Sequence, residues 1–259
     1  MVGYLVESAL LTHGLSSITE NELIKRWPGT YDTIAWMQKG RLTVGGIDDF
    51  CKFRRKAAGY GRVNRRNYDS FKAQGRSGAL TASGTMRACE ELGITLAVTC
   101  GMGGLMKGQR PEESHDLEAL AAGPVSLLAA APKDMFDLKR TILAMEEAGI
   151  TILGYESDVC DGYIFAGECV NISGRWNKEP PGKRRLFLKA IERADRIADK
   201  EILNRACRYG EDEEAKGRYY HPAVNKKVDE LTGGVSSALQ LGALIENIAW
   251  AEQLMLIGE

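Results

Sequence analysis

The sequence predicts an α/β fold, and three observations carry that expectation. Two short apolar runs, Thr95 to Cys100 and Val125 to Ala131, are bounded by Gly or Pro, the pattern of buried parallel strands. A helical segment, Met135 to Ala148, places Leu138, Ile142 and Met145 on one face. A third strand candidate, Ile150 to Leu153, follows it after a short link, so strand and helix alternate.

Taken in order, Val2 to His13 alternates weakly and carries Glu7 inside an apolar run. A carboxylate there is either a surface residue on a one-sided strand or a buried acid with a task, and the residues alone favour the surface. His13, before Gly14, reads as a hydrogen-bonded turn residue rather than a metal ligand. Asn21 to Trp27 is helical and stops at the turn Pro28-Gly29. Thr33 to Met37 and Arg41 to Val44 form a hairpin across Gln38-Lys39-Gly40, and Ile47 to Ala58 is a helix.

The next stretch is polar and basic, with Arg62, Arg65 and Arg66 clustered. Such a run is usually a solvated face, but a neighbouring phosphate site would turn it into an anion site. Thr81 to Leu92 is a helix whose polar first turn suits an anion. After Ile150 to Leu153 comes a loop, and Asn171 to Arg185 is Gly/Pro-rich and basic, which predicts a mobile loop. Leu188 to Tyr209 reads as a long charged helix and Gly210 to Arg218 as a polar link. Pro222 to Leu231 and Val235 to Leu256 close the chain as helices. No repeat or linker divides the chain, so residues 1–259 are expected to form one domain.

Composition narrows the function. At 259 residues, 44% hydrophobic and with net charge −1, the chain suits a soluble globular protein and not a general binder of nucleic-acid polymers. No apolar run reaches the roughly 18–20 residues that span a bilayer, so no membrane partner is expected. The amino terminus lacks a basic n-region and contains a carboxylate, unlike a secretory signal. Six scattered cysteines without a C-x-x-C pair read as free thiols in a reducing cytoplasm. Cys100 is either a nucleophile or a small core residue, and its apolar neighbours favour the core.

The chemistry concentrates between Thr95 and Asp137. Ligands of parallel sheets collect beyond the strands' carboxyl ends. Here those ends carry Gly101-Met102-Gly103-Gly104 and Lys133, with an acidic loop between them. Singly, a glycine turn is only a turn and a lysine only a surface charge; together they mark a candidate active site.

Several segments, in order, resemble the pseudouridine-5'-phosphate glycosidase family, which includes proteins called indigoidine synthase A-like. They are LVESALLTHGL, DTIAWMQKGRLTVGG, RVNRRN, TASGTMRACEELGI, VTCGMGGLMKG, the run from Ser114 to Asp158, and LTGGVSSALQLGALIENIA. The likeness covers roughly Val6 to Gly167 and resumes from His221 to Glu252. It implies a three-layer α/β/α fold around a mostly parallel or mixed sheet, a homotrimer, and manganese. The implied reaction joins or cleaves the C–C bond between uracil and ribose 5-phosphate.

The resemblance makes Lys133 the nucleophile, through an imine with the opened sugar. A C-glycoside has no bridging heteroatom to protonate, so covalent catalysis is the available route. It makes Glu7 the proton donor, against the surface reading above. Ser114, His115 and Asp116, in SHD, and Thr99 and Ala82 fall at substrate-binding positions. Four positions depart from the family. Glu112 stands for the metal-binding aspartate, Arg62 for a substrate-binding lysine, Met106 for a histidine, and Gln240 for a substrate-contacting asparagine. Two alternatives follow: a diverged relative acting on another aglycone or sugar phosphate, and a non-catalytic sugar-phosphate-binding or nucleotide-binding protein.

Overall fold

Burial at every position of Tyr4–Glu7, Leu96–Val98 and Ser126–Ala129 is what a strand inside a covered parallel sheet requires. A computed structural model of the chain describes residues 3–29, 31–108 and 114–257. Its first half runs β1 (Tyr4–Glu7), α1 (Glu20–Arg26), β2 (Ile34–Gln38), β3 (Arg41–Gly45), α2 (Ile47–Arg54) and β4 (Gly61–Val63). Next come α3 (Tyr68–Ala73), β5 (Gly78–Leu80), α4 (Ala82–Leu92), β6 (Leu96–Val98), β7 (Gly101–Met102) and α5 (His115–Ala122). They are followed by β8 (Ser126–Ala129), β9 (Ala131–Pro132), α6 (Leu138–Glu147), β10 (Thr151–Gly154), β11 (Val159–Cys160) and β12 (Val170–Asn171). The chain closes with β13 (Gly174–Arg175), β14 (Arg185–Leu188), α7 (Lys200–Ala215), α8 (Tyr220–Leu231) and α9 (Val235–Ile257).

One large sheet has the order β13-β10-β14-β8-β6-β1-β2-β5-β4, with β3 also paired to β2. From β13 to β2 every neighbouring pair is parallel. The β2 strand meets β3 and β5 antiparallel, so the sheet is mixed and mostly parallel. Helices flank it: α4 and α9 pack against the same strands, β1, β6 and β8. Among the described residues no helix is long and apolar enough to cross a membrane.

The structure departs from the sequence expectations mainly after residue 170. The stretch expected to be a mobile loop contains β13 and leads into β14, which lies between β10 and β8 inside the sheet. Only Leu186, Phe187 and Leu188 carry that strand, too short a run behind Lys183, Arg184 and Arg185 to show a period. The long helix expected from Leu188 starts only at Lys200, where the Asp199 carboxylate caps the Glu201 N–H. The intervening chain is pinned by Arg196, whose guanidinium donates to the carbonyls of Ile191 and Asp161. Nor is Gly210 in a link. It lies inside α7 against Val224 and Tyr220, where an added Cβ would collide, so the glycine allows the close approach of α8. Two helices are shorter than expected: α2 ends at Arg54, and α6 begins at Leu138 behind the Asp137 cap.

The turn after β1 is tied to the last two helices by one buried carboxylate. Asp229, 1% exposed, accepts from the hydroxyls of Ser16, Ser17 and Ser236 and from the Ser237 N–H. Burial pushes its carboxyl up, but the four donors outweigh this and hold it below the ordinary 3.8. Its contribution is therefore present above about pH 4 and lost as pH falls through the depressed value. Asp229→Ala strands several buried donors and should lower the unfolding free energy by about 3 kcal/mol in urea titration.

Candidate functional site

The site is built at the carboxyl ends of β1, β6 and β8. Glu7 is the last residue of β1. Beyond β6 and β8 the chain continues as the parallel pair β7 and β9, with Met102 opposite Pro132. The next residue, Lys133, donates its N–H to the Met102 carbonyl at 3.1 Å, which fixes where the side chain begins. Thr99, just past β6, donates its hydroxyl to the Glu7 carboxylate, and Asn247 of α9 donates to the Thr99 carbonyl at 2.7 Å. Glu7 is 4% exposed and Lys133 9%, so neither is the surface charge that a bare reading of the residues favours.

The amino terminus of α4 closes another side. Gly84 lies so close to the Val63 carbonyl that an added Cβ would collide with it, and this presses α4 against β4. Arg62 of β4 is thereby brought beside Thr81, Ala82 and Ser83. Asp116, in the first turn of α5, accepts the Ser83 N–H at 2.9 Å and the Gly103 N–H at 2.7 Å. It braces the α4 terminus to the glycine turn. Asn64 and Asn67 cap each other's backbone N–H groups, and Asn67 donates to the Arg62 carbonyl.

These groups surround a cavity of about 290 Å³. Glu7, Arg62, Ala82, Ser114, His115, Asp116 and Lys133 all line it, so the structure gathers seven of the sequence-assigned residues. Thr99 does not line it and acts from behind, through Glu7. Gln240 does not line it either; its Oε1 accepts from Tyr163 Oη at 3.3 Å and Asn225 Nδ2 at 3.2 Å. Cys100 is a core residue, its Sγ 2.9 Å from Tyr163 Oη and its thiol pushed up to about 12 by burial. Sequence reasoning missed Asn64, Asn67, Phe136, Tyr219, Tyr220 and His221 as lining residues. The asparagines lie in the RVNRRN segment already singled out, whereas no pattern marks the first turn of α8 as a pocket wall.

Burial dominates the electrostatics. It pushes the Glu7 carboxyl up, opposed by Lys133, the Thr99 hydroxyl and Arg62. It pulls the Lys133 amine down, helped by Arg62 and opposed by Glu7 and Asp116. Both move toward the uncharged pair, an acid that keeps its proton beside an amine that lacks one. His221 is held well below the ordinary imidazole value by burial and by Lys133 and Arg62, so its ring is neutral. Among the described residues no group of three His, Cys, Asp or Glu side chains is placed to hold a metal. Glu112, to which the resemblance assigns one, lies outside the described residues.

The family model described as "Indigoidine synthase A like protein" matches residues 5–179, more than half of the chain. The chain belongs to the indigoidine synthase A-like family. Relatives of this family member carry the name pseudouridine-5'-phosphate glycosidase. The one from Thermus thermophilus is 26% identical, over 97% of this chain and 95% of its own. That from Mycoplasmopsis agalactiae is 24% identical, over 96% and 90%. Two crystal structures share the fold of this family member. An indigoidine synthase A-like protein from Thermotoga maritima superimposes with a TM-score of 0.79 at 19% identity, covering 98% of this chain and 92% of that one. The prealnumycin C-glycosynthase AlnA, in complex with ribulose 5-phosphate, gives 0.77 at 21% identity with the same coverage.

Proposed function

We propose that the protein is a C-glycosidase that reversibly cleaves pseudouridine 5'-phosphate to uracil and ribose 5-phosphate. The observation that carries this reading is the buried pair, Lys133 beside Glu7, in a cavity that also holds Arg62 and the α4 terminus. Arg62, whose guanidinium does not deprotonate in proteins, suits a phosphate.

The chemistry follows from the uncharged pair. The Lys133 nitrogen displaces the ring oxygen at the sugar's C1, and its proton passes to that oxygen, which opens the ring. Glu7 then delivers a proton to the uracil carbon joined to C1. As that C–C bond breaks, the nitrogen lone pair forms C1=N and the bond's electrons remain with uracil. An iminium on Lys133 and a Glu7 carboxylate are left.

Incubation with pseudouridine 5'-phosphate, with and without manganese, should release free uracil; correctly folded protein that releases none overturns the reading. The rate should show a bell-shaped dependence on pH, because the amine must be neutral and the acid protonated. Glu7 lies above its ordinary 4.5 and Lys133 below its ordinary 10.5, so in a kcat/KM profile the acid limb should lie below the ordinary lysine value and the alkaline limb above the ordinary carboxylate value. Activity rises as Lys133 loses its proton and declines as Glu7 loses its own, the two titrating as a pair.

A second reading keeps the chemistry and changes the aglycone. Gln240 does not line the cavity, while Met106, Phe136, Tyr219 and Tyr220 do. A flat aromatic partner other than uracil fits such a wall. A Lys133 adduct trapped by borohydride with ribose 5-phosphate, without uracil release, would favour it. Reversible binding that never traps would favour a non-catalytic protein.

A further inference from the structure

Behind the main cavity lies a second chamber of about 10 Å³, close to the volume that one water needs. Glu7, Arg62, Lys133, His221 and Pro222 line both spaces, so the chamber opens on the same amine and carboxyl. Its far wall is Ala9, Leu10, His13, Gly14 and Asn225. His13 lines the chamber, and its Nε2 is buried without a protein partner. A neutral imidazole nitrogen left so is costly unless something small and polar meets it. Burial and Arg62 hold that ring neutral, its value pulled down to about 4.

We propose that this chamber holds the water that hydrolyses the Lys133 iminium, with His13 positioning it and Glu7 taking its proton. The inference rests on the lysine-imine reading. When the C–C bond has broken, Glu7 is a carboxylate and the sugar's C1 is doubly bonded to nitrogen. The water oxygen bonds to C1, one of its protons passes to Glu7, and the C=N pair collapses onto nitrogen, giving a carbinolamine. The hydroxyl proton of that carbinolamine then moves to nitrogen, the C–N bond breaks with its electrons on nitrogen, and the aldehyde leaves. Lys133 ends neutral and Glu7 protonated, the pair with which the next turnover starts. His13 touches neither sugar nor amine and is a positioning residue.

The test needs only ribose 5-phosphate and ¹⁸O-labelled water. Each cycle of imine formation and hydrolysis exchanges the C1 oxygen with solvent, followed by mass spectrometry. His13→Leu should slow enzyme-catalysed exchange at least tenfold. It should leave the fraction of Lys133 trapped by borohydride at saturating sugar unchanged, since hydration and dehydration slow together. His13→Gln, which keeps a polar atom, should recover most of the exchange. Ala9→Val, which fills the chamber without removing a polar group, should repeat the loss and decides the matter if His13→Leu does not fold. Exchange at the wild-type rate in both His13→Leu and Ala9→Val overturns the chamber's role while the imine reading stands. A wild-type protein that neither exchanges nor traps overturns the imine reading, and this inference with it.

Discussion

Lys133→Ala should abolish both the borohydride-trapped adduct and turnover, with a loss of at least about a thousandfold in kcat/KM. Among the described residues Lys133 is the lysine that lines the cavity, so no second amine stands ready to replace it. Arg62 is no substitute, because a guanidinium does not deprotonate in proteins. The fold should survive, since the backbone bond that seats residue 133 runs from its N–H to Met102. Lys133→Met should even raise the melting temperature. The amine's folded value lies below 10.5, so an unfolded chain binds the proton more readily, and the folded state is penalised at neutral pH. That penalty is full below the folded value and fades as pH climbs toward 10.5. Removing it, with the stem's volume kept, should stabilise by about 1 kcal/mol, the usual exchange of function for stability. Differential scanning calorimetry beside an activity assay reads both halves.

Glu7→Gln should slow C–C cleavage by roughly a hundredfold to ten-thousandfold, the ordinary range for losing a general acid. Trapping with ribose 5-phosphate at equilibrium should persist, because losing that acid slows condensation and hydrolysis alike, and this separates loss of the proton donor from loss of the nucleophile. The alkaline limb of the pH profile should vanish with the carboxyl. Thr99→Val offers a milder check. Its hydroxyl donates to the Glu7 carboxylate and so favours the charged form. Without it Glu7 should hold its proton to higher pH, and the alkaline limb should move upward.

Much of this site could be read from the chain before any coordinates. Lys133 and the glycine turn stand at the ends of two apolar runs, and in a parallel sheet such ends share one edge. Glu7 was harder. The surface reading drawn from its own neighbours is overturned by the sheet, which places β1 between β6 and β2 and buries the carboxylate at its tip. Arg65 and Arg66 show the same limit. They sit in one basic run with Arg62, yet Arg65 pairs with Glu90 and Arg66 with Glu118, while Arg62 alone of the three lines the cavity.

Glu7 was named only by the family resemblance; local sequence by itself determined the α/β class, the order of most strands and helices up to Leu153, and Lys133 with its glycine turn. Their signals are short range: apolar runs, caps, and a glycine or lysine at a strand's end. Only the tertiary structure decided that Leu186 to Leu188 is an interior strand, that Gln240 faces Tyr163, and that His13 and His221 flank one small chamber. Those facts depend on which segments, far apart along the chain, come to lie side by side, and a residue's neighbours in sequence carry no record of its neighbours in space.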